Sequence, residues 1–389
     1  MPASSDFFGQ RSAQAVLKHG VLARYAHYFA GRAGAATKGR VAFIDGYAGE
    51  GRYQDGSPGS PLLLASQATR AQMFGRDVKL AFVEQDGARR EQLRQSLSEN
   101  NVEPDQVLGD SLETVIDGLL DRYAQHAVLL FVDPFGLAVS RSTLERVLRR
   151  RSRSQPIDVL YHFSLSTVAR MGRAGVVEGP TSRHNAEQLD GALGDIGWRD
   201  DFERATAPNA PTEAAVAVAR RFGEAVRHAT GIRSTAVPVR QRPGQLPRYL
   251  LMLFSADQKA HWDFADLASK AHVDWLYHYD REDYEANVRF REDQGLIELF
   301  ASPEPNMKDI DEQLRRDALA YLPEHLRRVV RERGSLRPLD DVEAVYGEML
   351  GRARVTHVRA AINELHSADS LDAGGGGDFW LRTFQWTGR

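Results

Sequence analysis

The fold of this chain is decided by residues 41–53, which read VAFIDGYAGEGRY. A short apolar run ends in the acid Asp45 and opens into a turn that contains Gly46, Gly49 and Gly51. This pattern is typical of a buried parallel strand with a ligand bound at its carboxyl end, because glycines let the backbone approach the ligand closely. The spacing D-x-x-A-G-x-G differs from the G-x-G-x-x-G of dinucleotide sites, and the acid suits a cationic ligand. S-adenosylmethionine (SAM) carries an ammonium and a sulfonium group and fits; a plain glycine turn is the alternative.

Composition sets the broad class of the protein. The chain has 389 residues, is 42% hydrophobic, carries a formal net charge of -3 and contains no cysteine. A globally basic nucleic-acid binder is therefore excluded, as are disulfides, thiolate metal sites and cysteine nucleophiles. No apolar run has transmembrane length, and residues 1–10 lack the pattern of a signal peptide. We expect a cytoplasmic protein with no membrane partner.

Alternating apolar strands and amphipathic helices follow a leading helix over residues 12–33. Such alternation predicts an α/β fold with a doubly wound parallel sheet. The region around 164–232 is helical and charged, and we interpret it as an insertion that forms a lid or a substrate platform. Residues 235–240 and 249–255 predict an antiparallel hairpin that closes the sheet. The five predicted parallel strands are Arg40–Asp45, Lys79–Glu84, Gln106–Gly109, Ala127–Asp133 and Ile157–Phe163.

A domain boundary is predicted where the chain reads SPEPN at residues 302–306. It separates a first domain, 1–302, from a second, 306–389. In the second, three helices at about 310–333, 339–350 and 355–365 precede two strands around the glycines 374–377. This order predicts a winged-helix domain, which binds nucleic acid or another protein.

Acidic residues end successive predicted strands at the edge where such sheets bind ligands. Glu84 ends the second strand, where a carboxylate accepts hydrogen bonds from ribose hydroxyls. Asp110 follows the third strand, where it can accept from an adenine amino group. An acid in this position also commonly caps the next helix. Because the acids recur at consecutive strand ends, we predict that Asp45, Glu84 and Asp110 surround SAM.

The sequence Asp133-Pro134-Phe135-Gly136 follows the fourth strand and points to a reaction. Amino-methyltransferases of nucleobases carry Asp/Asn/Ser-Pro-Pro-aromatic at this place, where the first side chain accepts from the exocyclic amine and the ring stacks on the extruded base. Here the aromatic residue stands one position earlier. We predict Asp133, Pro134 and Phe135 as the catalytic residues; a turn with Phe135 in the core is the alternative.

Four blocks, Val16–His19, Asp45–Tyr53, Gly59–Leu62 and Asp133–Gly136, together resemble the three-Cys-motif partner protein family. The first three are also similar to the adenine-N6 methyltransferases of large-subunit ribosomal RNA. The resemblance covers roughly residues 10–165. It implies a Rossmann-like class I SAM-dependent methyltransferase with a C-terminal winged helix. It also implies a neighbouring partner protein with three cysteines that resembles radical-SAM enzymes.

The resemblance to the rRNA enzymes implies roles for individual residues. His19, with Lys18 beside it, would contact the SAM carboxylate or a neighbouring water, and Ser60 would contact the methionine end. Tyr47 stands where those enzymes have a histidine. The complete predicted cofactor set is Lys18, His19, Asp45, Tyr47, Ala48, Gly49, Gly51, Ser60, Glu84, Asp110 and Ser111. We predict no metal site, because His261, His272, His278 and Asp280 match no ligand spacing.

Arginines provide the predicted nucleic-acid surface. Six of them crowd residues 141–153, and we place Arg149, Arg150 and Arg151 near the ligand edge of the sheet, where they can hold a phosphate backbone. In the tail, Arg354 and Arg359 lie on or near the third helix. A solvated helix face is the alternative for such a charge run.

The sequence therefore predicts a SAM-dependent methyltransferase that acts on nucleic acid, with an adenine exocyclic amine (N6) as the target. The alternative is a SAM-binding or degenerate methyltransferase fold without turnover. It would serve as a nucleic-acid-binding or regulatory partner of the three-cysteine protein.

Overall fold

The computed structural model describes residues 13–134, 136–137, 139–177, 179, 181–205, 210–293 and 303–388. The described chain forms two compact units. Residues 22–256 make up the first unit, and residues 13–21 together with 257–388 make up the second.

The first unit is built on a seven-stranded sheet in the order β3-β2-β1-β4-β5-β7-β6. Each neighbouring pair among β1 to β5 is parallel, whereas β7 is antiparallel to both β5 and β6. The five predicted parallel strands and the closing hairpin are thereby confirmed. The strand bounds are β1 Arg40–Asp45, β2 Asp77–Val83, β3 Gln106–Leu108, β4 Ala127–Val132, β5 Ile157–Phe163, β6 Arg233–Val239 and β7 Tyr249–Ser255.

The central strands form because their apolar runs are buried on both faces. Every residue of β4 is buried, as is every residue of β7. Helices cover the two faces, as parallel sheets require. All carboxyl ends of β1 to β5 meet at one side, which we call the carboxyl edge. The helices between the first five strands are α2 Ser60–Met73, α3 Gly87–Glu99, α4 Leu112–Arg122 and α5 Arg141–Arg149, and α1 (Ala13–Ala36) precedes them.

The region predicted as a helical insertion is helical, and its interpretation as an inserted lid or platform stays a prediction. Its helices are α6 Leu165–Val176, α7 Ser182–Leu193, α8 Trp198–Glu203 and α9 Ala210–Thr230. Leu193, Trp198 and Phe222 belong to the same buried cluster as side chains of β4, β5 and β7. Their apolar faces are therefore part of the core that covers the sheet.

The second unit consists of helices and one small sheet. Its elements are α10 Gln258–Asp293, α11 Met307–Arg333, β8 Ser335–Leu336, α12 Val342–Tyr346, α13 Val355–Ser367 and β9 Phe384–Gln385. The C-terminal part of this unit begins at Asp257, earlier than the predicted linker, because Trp262 of α10 packs against Tyr346 and Phe379.

The predicted wing differs in detail from the structure. The strand expected after the four glycines is a short 3-10 helix, Phe379–Leu381, and β9 comes only after it. β9 pairs with β8, and Leu371 forms a bridge to Trp386. The assignment as a winged-helix domain stays a prediction. None of the described helices is long and apolar enough to cross a bilayer.

Asp158 is a buried acid in β5 of the first unit. The Tyr25 hydroxyl donates to its Oδ2 at 2.7 Å and ties α1 to β5. Burial raises the pKa of the Asp158 carboxyl to about 6, although hydrogen bonds from Ser255 and Tyr25 and the charge of Arg32 act in the opposite direction. The folded protein therefore favours the protonated acid more than the unfolded chain does, since a free aspartate has a pKa near 4.

Asp158→Asn should stabilise the first unit above neutral pH. The protonated acid makes its full contribution to the free energy of unfolding below a pH of about 4. This contribution is lost as the pH rises through about 6. The amide imitates the protonated acid, so at pH 8 the variant should gain about 1–3 kcal/mol in unfolding free energy, and the gain should vanish near pH 4. Chemical denaturation across this range, with exposed Asp195→Asn as control, measures it. A pH-independent difference between Asp158→Asn and wild type would contradict the assignment.

Candidate active site at the carboxyl edge of the sheet

The glycine loop after β1 continues the sheet at the carboxyl edge. The Gly46 amide donates to the Phe131 carbonyl at 2.9 Å, and the Ala48 amide donates to the Val83 carbonyl at 2.9 Å. The loop therefore begins between the ends of β4 and β2. A Cβ on Gly46 would lie 2.5 Å from a methyl group of Leu112, so a larger residue there would have to displace this buried side chain.

Gly49 and Gly51 take left-handed backbone conformations, with φ of 63° and 82°. Their surroundings differ. A Cβ on Gly51 would lie 3.0 Å from the Ser96 Cβ, whereas one on Gly49 would meet no atom within 4 Å. Gly49 thus presents bare backbone to open space, as a loop that receives a ligand must.

Asp45 is fully buried, and its side chain stabilises the glycine loop that follows it. Its Oδ1 accepts the Tyr47 amide at 3.1 Å, which closes a tight turn directly after β1. Burial raises the pKa of the Tyr47 hydroxyl, and the nearby Glu113 carboxylate adds to the shift, so this phenol stays neutral.

Glu84 is fixed between two loops at the end of β2. Its Oε2 accepts the Gly49 amide at 2.9 Å, and its Oε1 accepts the Asp86 amide at 2.8 Å. Each carboxylate oxygen can accept more than one hydrogen bond, so this arrangement leaves acceptor capacity for a diol. The glycine loop and the acid that were predicted to share a ligand are thus joined directly, across 35 residues of sequence.

Arg90, on the first turn of α3, was not identified from the sequence. Its Nη1 donates to the carbonyls of Glu84, Gln85 and Gly109 at 3.0, 3.3 and 3.5 Å. The guanidinium thereby ties the end of β2 to the end of β3. The only sequence signal for Arg90 is that a basic residue stands six positions after the acid that ends β2. No motif spacing distinguishes this arginine from the others on α3.

The other predicted cofactor residues lie in varied settings. Asp110 is exposed after β3, and Ser111 caps α4 by accepting the Thr114 amide at 3.3 Å. Ser60 is buried in the first turn of α2. Lys18 and His19 belong to residues 13–21 of the second unit, so their part in this site stays a prediction.

Asp133 lies beside His162, a residue that was not predicted from the sequence as part of the site. Its Oδ1 is 2.9 Å from Nδ1 of His162, and the two side chains are only 17% and 15% exposed. The Tyr249 ring stands edge-on to the imidazole, with centroids 4.1 Å apart. Pro134 is buried, and Phe135 lies outside the described residues.

Glu113 anchors the far end of the loop that begins at Asp133. Its Oε1 accepts the amide and the hydroxyl of Ser140, at 2.8 and 2.7 Å. Burial alone would raise the pKa of Glu113, but hydrogen bonds from Ser140 and Thr143 outweigh it and hold that pKa below its usual value. The Tyr161 hydroxyl donates to the Val139 carbonyl at 3.2 Å.

The predicted position of the α5 arginines is wrong. Because α5 runs back from the carboxyl edge, Arg149, Arg150 and Arg151 lie at the opposite edge, where β5 begins. Arg149 also pairs with Glu145 at 3.2 Å, and Arg150 pairs with Asp121. Arg151 is exposed.

The tail arginines make contacts within their own unit. Arg354 pairs with Asp311 at 2.6 Å, and the Arg359 guanidinium lies 5.2 Å from the centre of the Phe379 ring. Their binding to nucleic acid stays a prediction. Within the described ranges, no three His, Asp or Glu side chains are grouped as metal ligands.

The strand order and the site define the class of the first unit. A sheet in the order β3-β2-β1-β4-β5-β7-β6, with only β7 reversed, is the class I SAM-dependent methyltransferase fold. Its glycine loop follows β1 and its acid ends β2, at the edge where open α/β sheets bind ligands. The predicted fold class is confirmed.

Comparisons with known proteins add little to this assignment. No family model and no curated protein matches the chain. The O-methyltransferase TomG from Streptomyces achromogenes, solved with SAM, is 14% identical over 62% of this chain and 80% of its own, with a TM-score of 0.32. The methyltransferase domain of bacterial CtHen1 is 10% identical over 61% and 99%, with a TM-score of 0.33. The plantazolicin methyltransferase BamL, solved with S-adenosylhomocysteine, is 11% identical over 64% and 87%, with a TM-score of 0.29. Because these values are low, the fold assignment rests on the strand order.

Proposed function

We propose that this protein is a SAM-dependent methyltransferase that acts on nucleic acid, with an adenine exocyclic amine as the target. The observation that carries the proposal is the joined pair of Gly49 and Glu84 at the carboxyl edge, together with Asp133, which follows β4, the strand that neighbours β1. The pair offers bare backbone and an oriented carboxylate, and Asp133 offers an acceptor at the end of β4.

The residues at the carboxyl edge fit the polar groups of SAM. Glu84 would accept the ribose hydroxyls with a carboxylate that two amides already orient. The open space above Gly49 would admit the cofactor backbone without a Cβ in the way. Asp110 is exposed after β3, the strand that neighbours β2, and would accept from the adenine amino group.

Catalysis would depend on orientation and on exclusion of water. SAM would supply an electrophilic methyl group. Asp133 would accept a hydrogen bond from the target amine and align its nitrogen lone pair, so that the N–C bond forms as the S–C bond breaks. The amine then gives its surplus proton to water. No strong base is needed, because the leaving sulfide is neutral and the attack is in line.

One observation favours the second candidate, a SAM-binding partner protein without turnover. The Asp133 carboxylate already lies 2.9 Å from the His162 imidazole at the end of β4, and the motif lacks the second proline of the amino-methyltransferases. In that case the protein would bind SAM and serve the neighbouring three-cysteine protein, resembling radical-SAM enzymes, as its regulatory or nucleic-acid-binding partner.

The test is transfer of a tritiated methyl group from SAM to total RNA and to total DNA, with and without the three-cysteine protein. Calorimetry with SAM and S-adenosylhomocysteine runs in parallel. Transfer supports the enzyme; tight binding of SAM without transfer supports the partner role. Folded protein that binds neither ligand excludes both.

The segment between β6 and β7 is a better candidate for the phosphate-binding surface than the α5 arginines. Because β6 is parallel to β5, residues 240–248 leave the sheet at the carboxyl edge, next to Tyr249. This segment reads RQRPGQLPR and contains three arginines and no acid. Arg242 and Arg248 are exposed.

The double change Arg242→Glu and Arg248→Glu should weaken binding of RNA or DNA by about tenfold or more and lower the salt slope by about one per lost phosphate contact. The matched control, Arg151→Glu with Arg153→Glu, changes two exposed arginines at the opposite edge. It should leave affinity near the wild-type value. Fluorescence anisotropy at several salt concentrations measures both, and an equal loss in the two variants would contradict this placement.

A further inference from the structure

One side chain, Arg90 of α3, joins the backbone at the ends of β2 and β3. Its Nη1 donates to the Glu84 carbonyl at 3.0 Å and shares its hydrogens with the carbonyls of Gln85 and Gly109, at 3.3 and 3.5 Å. Gly109 directly precedes Asp110. The guanidinium therefore reaches the backbone at both acids that are expected to bind the nucleoside part of SAM.

The guanidinium lies close against Gly109. A Cβ on this residue would lie 2.6 Å from Nη1 and 2.7 Å from Cζ of Arg90, so the guanidinium occupies the space that a side chain would fill. The φ of Gly109 is not positive, so the backbone there does not require glycine. The absence of a side chain at Gly109 serves the approach of Arg90.

Glu84 is held by several contacts besides Arg90. Its amide donates to the Leu108 carbonyl at 3.0 Å, which continues the pairing of β2 with β3. Its carboxylate accepts the amides of Gly49 and Asp86, at 2.9 and 2.8 Å. Loss of the Arg90 guanidinium would therefore leave the ribose acid with its other restraints.

Asp110 stands where the regular structure is interrupted. β3 ends at Leu108, and Ser111 is the N-cap of α4, so only Gly109 and Asp110 lie between the strand and the helix cap. The Asp110 residue is exposed. The bond from Arg90 to the Gly109 carbonyl therefore restrains the backbone directly before this acid.

We propose that Arg90 is the positioning residue for the adenine end of the SAM site. By holding the Gly109 carbonyl, it keeps the Asp110 carboxylate where that carboxylate accepts from the adenine amino group. The inference rests on the proposed SAM site, to which it adds a residue that determines selectivity for the amino group. Arg90 acts through Asp110, so its loss should remove selectivity while the ribose contacts of Glu84 remain.

Two ligands isolate this effect: S-adenosylhomocysteine and its purine analogue, which lacks the adenine amino group. Wild-type protein should prefer S-adenosylhomocysteine by about tenfold, because Asp110 forms a charge-assisted hydrogen bond with the amino group. Arg90→Met keeps an unbranched apolar stem and removes the donors. It should lower the preference to about twofold and leave the affinity for the purine analogue within about threefold of wild type. Calorimetry measures all four affinities.

A second variant displaces the guanidinium without removing it. Gly109→Ala places a methyl group where Nη1 and Cζ of Arg90 now lie, so the flexible arginine must move. This variant should lose the preference as Arg90→Met does. Arg94→Met is the matched control, because Arg94 lies one turn further along α3, is half exposed and pairs with Glu91 at 3.4 Å. It should keep the wild-type preference.

The outcomes separate the inference from the function on which it rests. A wild-type preference in Arg90→Met or in Gly109→Ala overturns the inference. An equal loss of affinity for both ligands in Arg90→Met also overturns it, since Arg90 would then only support the fold. If Arg90→Met does not fold, Gly109→Ala decides alone. A wild type that binds both ligands equally overturns the inference and leaves the proposed function standing, whereas folded wild type that binds neither removes both.

Discussion

Replacing Asp133 by alanine should lower methyl transfer by about a hundredfold or more and leave SAM affinity within a few-fold of the wild-type value. The reason is the position of Asp133, just after β4: the glycine loop follows the adjacent strand β1, and Glu84 follows β2, two strands away. An interaction made mainly with the reacting amine lowers kcat when it is lost, and it leaves cofactor binding unchanged.

Single-turnover transfer of a tritiated methyl group measures the rate, and calorimetry measures the affinity for SAM. Asp121→Ala is a suitable control, because it removes an exposed carboxylate at the opposite edge of the sheet. If Asp133→Ala retained wild-type turnover, another group would have to accept the hydrogen bond from the target amine. Parallel loss of SAM affinity would instead make Asp133 a cofactor residue.

Glu84→Ala should weaken the binding of SAM and S-adenosylhomocysteine by roughly 1–3 kcal/mol, or about five- to 150-fold. Two effects combine in this variant. The ribose hydroxyls lose their acceptor, and the Gly49 and Asp86 amides lose the carboxylate that holds both loops in place. Glu84→Gln should also bind weakly, because its NH2 group would face one of those two amides.

Calorimetry with both ligands measures the effect of the Glu84 substitutions, and thermal unfolding without ligand checks that the variants fold. Glu91→Ala on α3 is the control, since it removes an exposed acid from the same region. An affinity within twofold of wild type in Glu84→Ala would place the ribose elsewhere and would remove the observation on which the proposed function rests.

The sequence by itself determined the strands, their alternation with helices, and the glycine loop. These features are local: an apolar run ending at Asp45 predicts a buried strand wherever it lies, and the glycines after it predict a turn with positive φ. The closing hairpin was also predictable, because residues 241–248 lie between two apolar segments and contain two prolines and a glycine. The order of the strands required the resemblance to a known fold, since periodicity does not specify neighbours.

Only the tertiary structure decided which side chains meet at the carboxyl edge. The Gly49 amide donates to Glu84 across 35 residues of sequence. Asp133 and His162 lie side by side because of the register between β4 and β5. The misplacement of the α5 arginines has a different cause: a helix that connects two parallel strands runs back from the carboxyl edge, so the predicted parallel sheet already implied that the end of α5 lies at the opposite edge. Pairing and register depend on the whole packed sheet, and no local pattern encodes them.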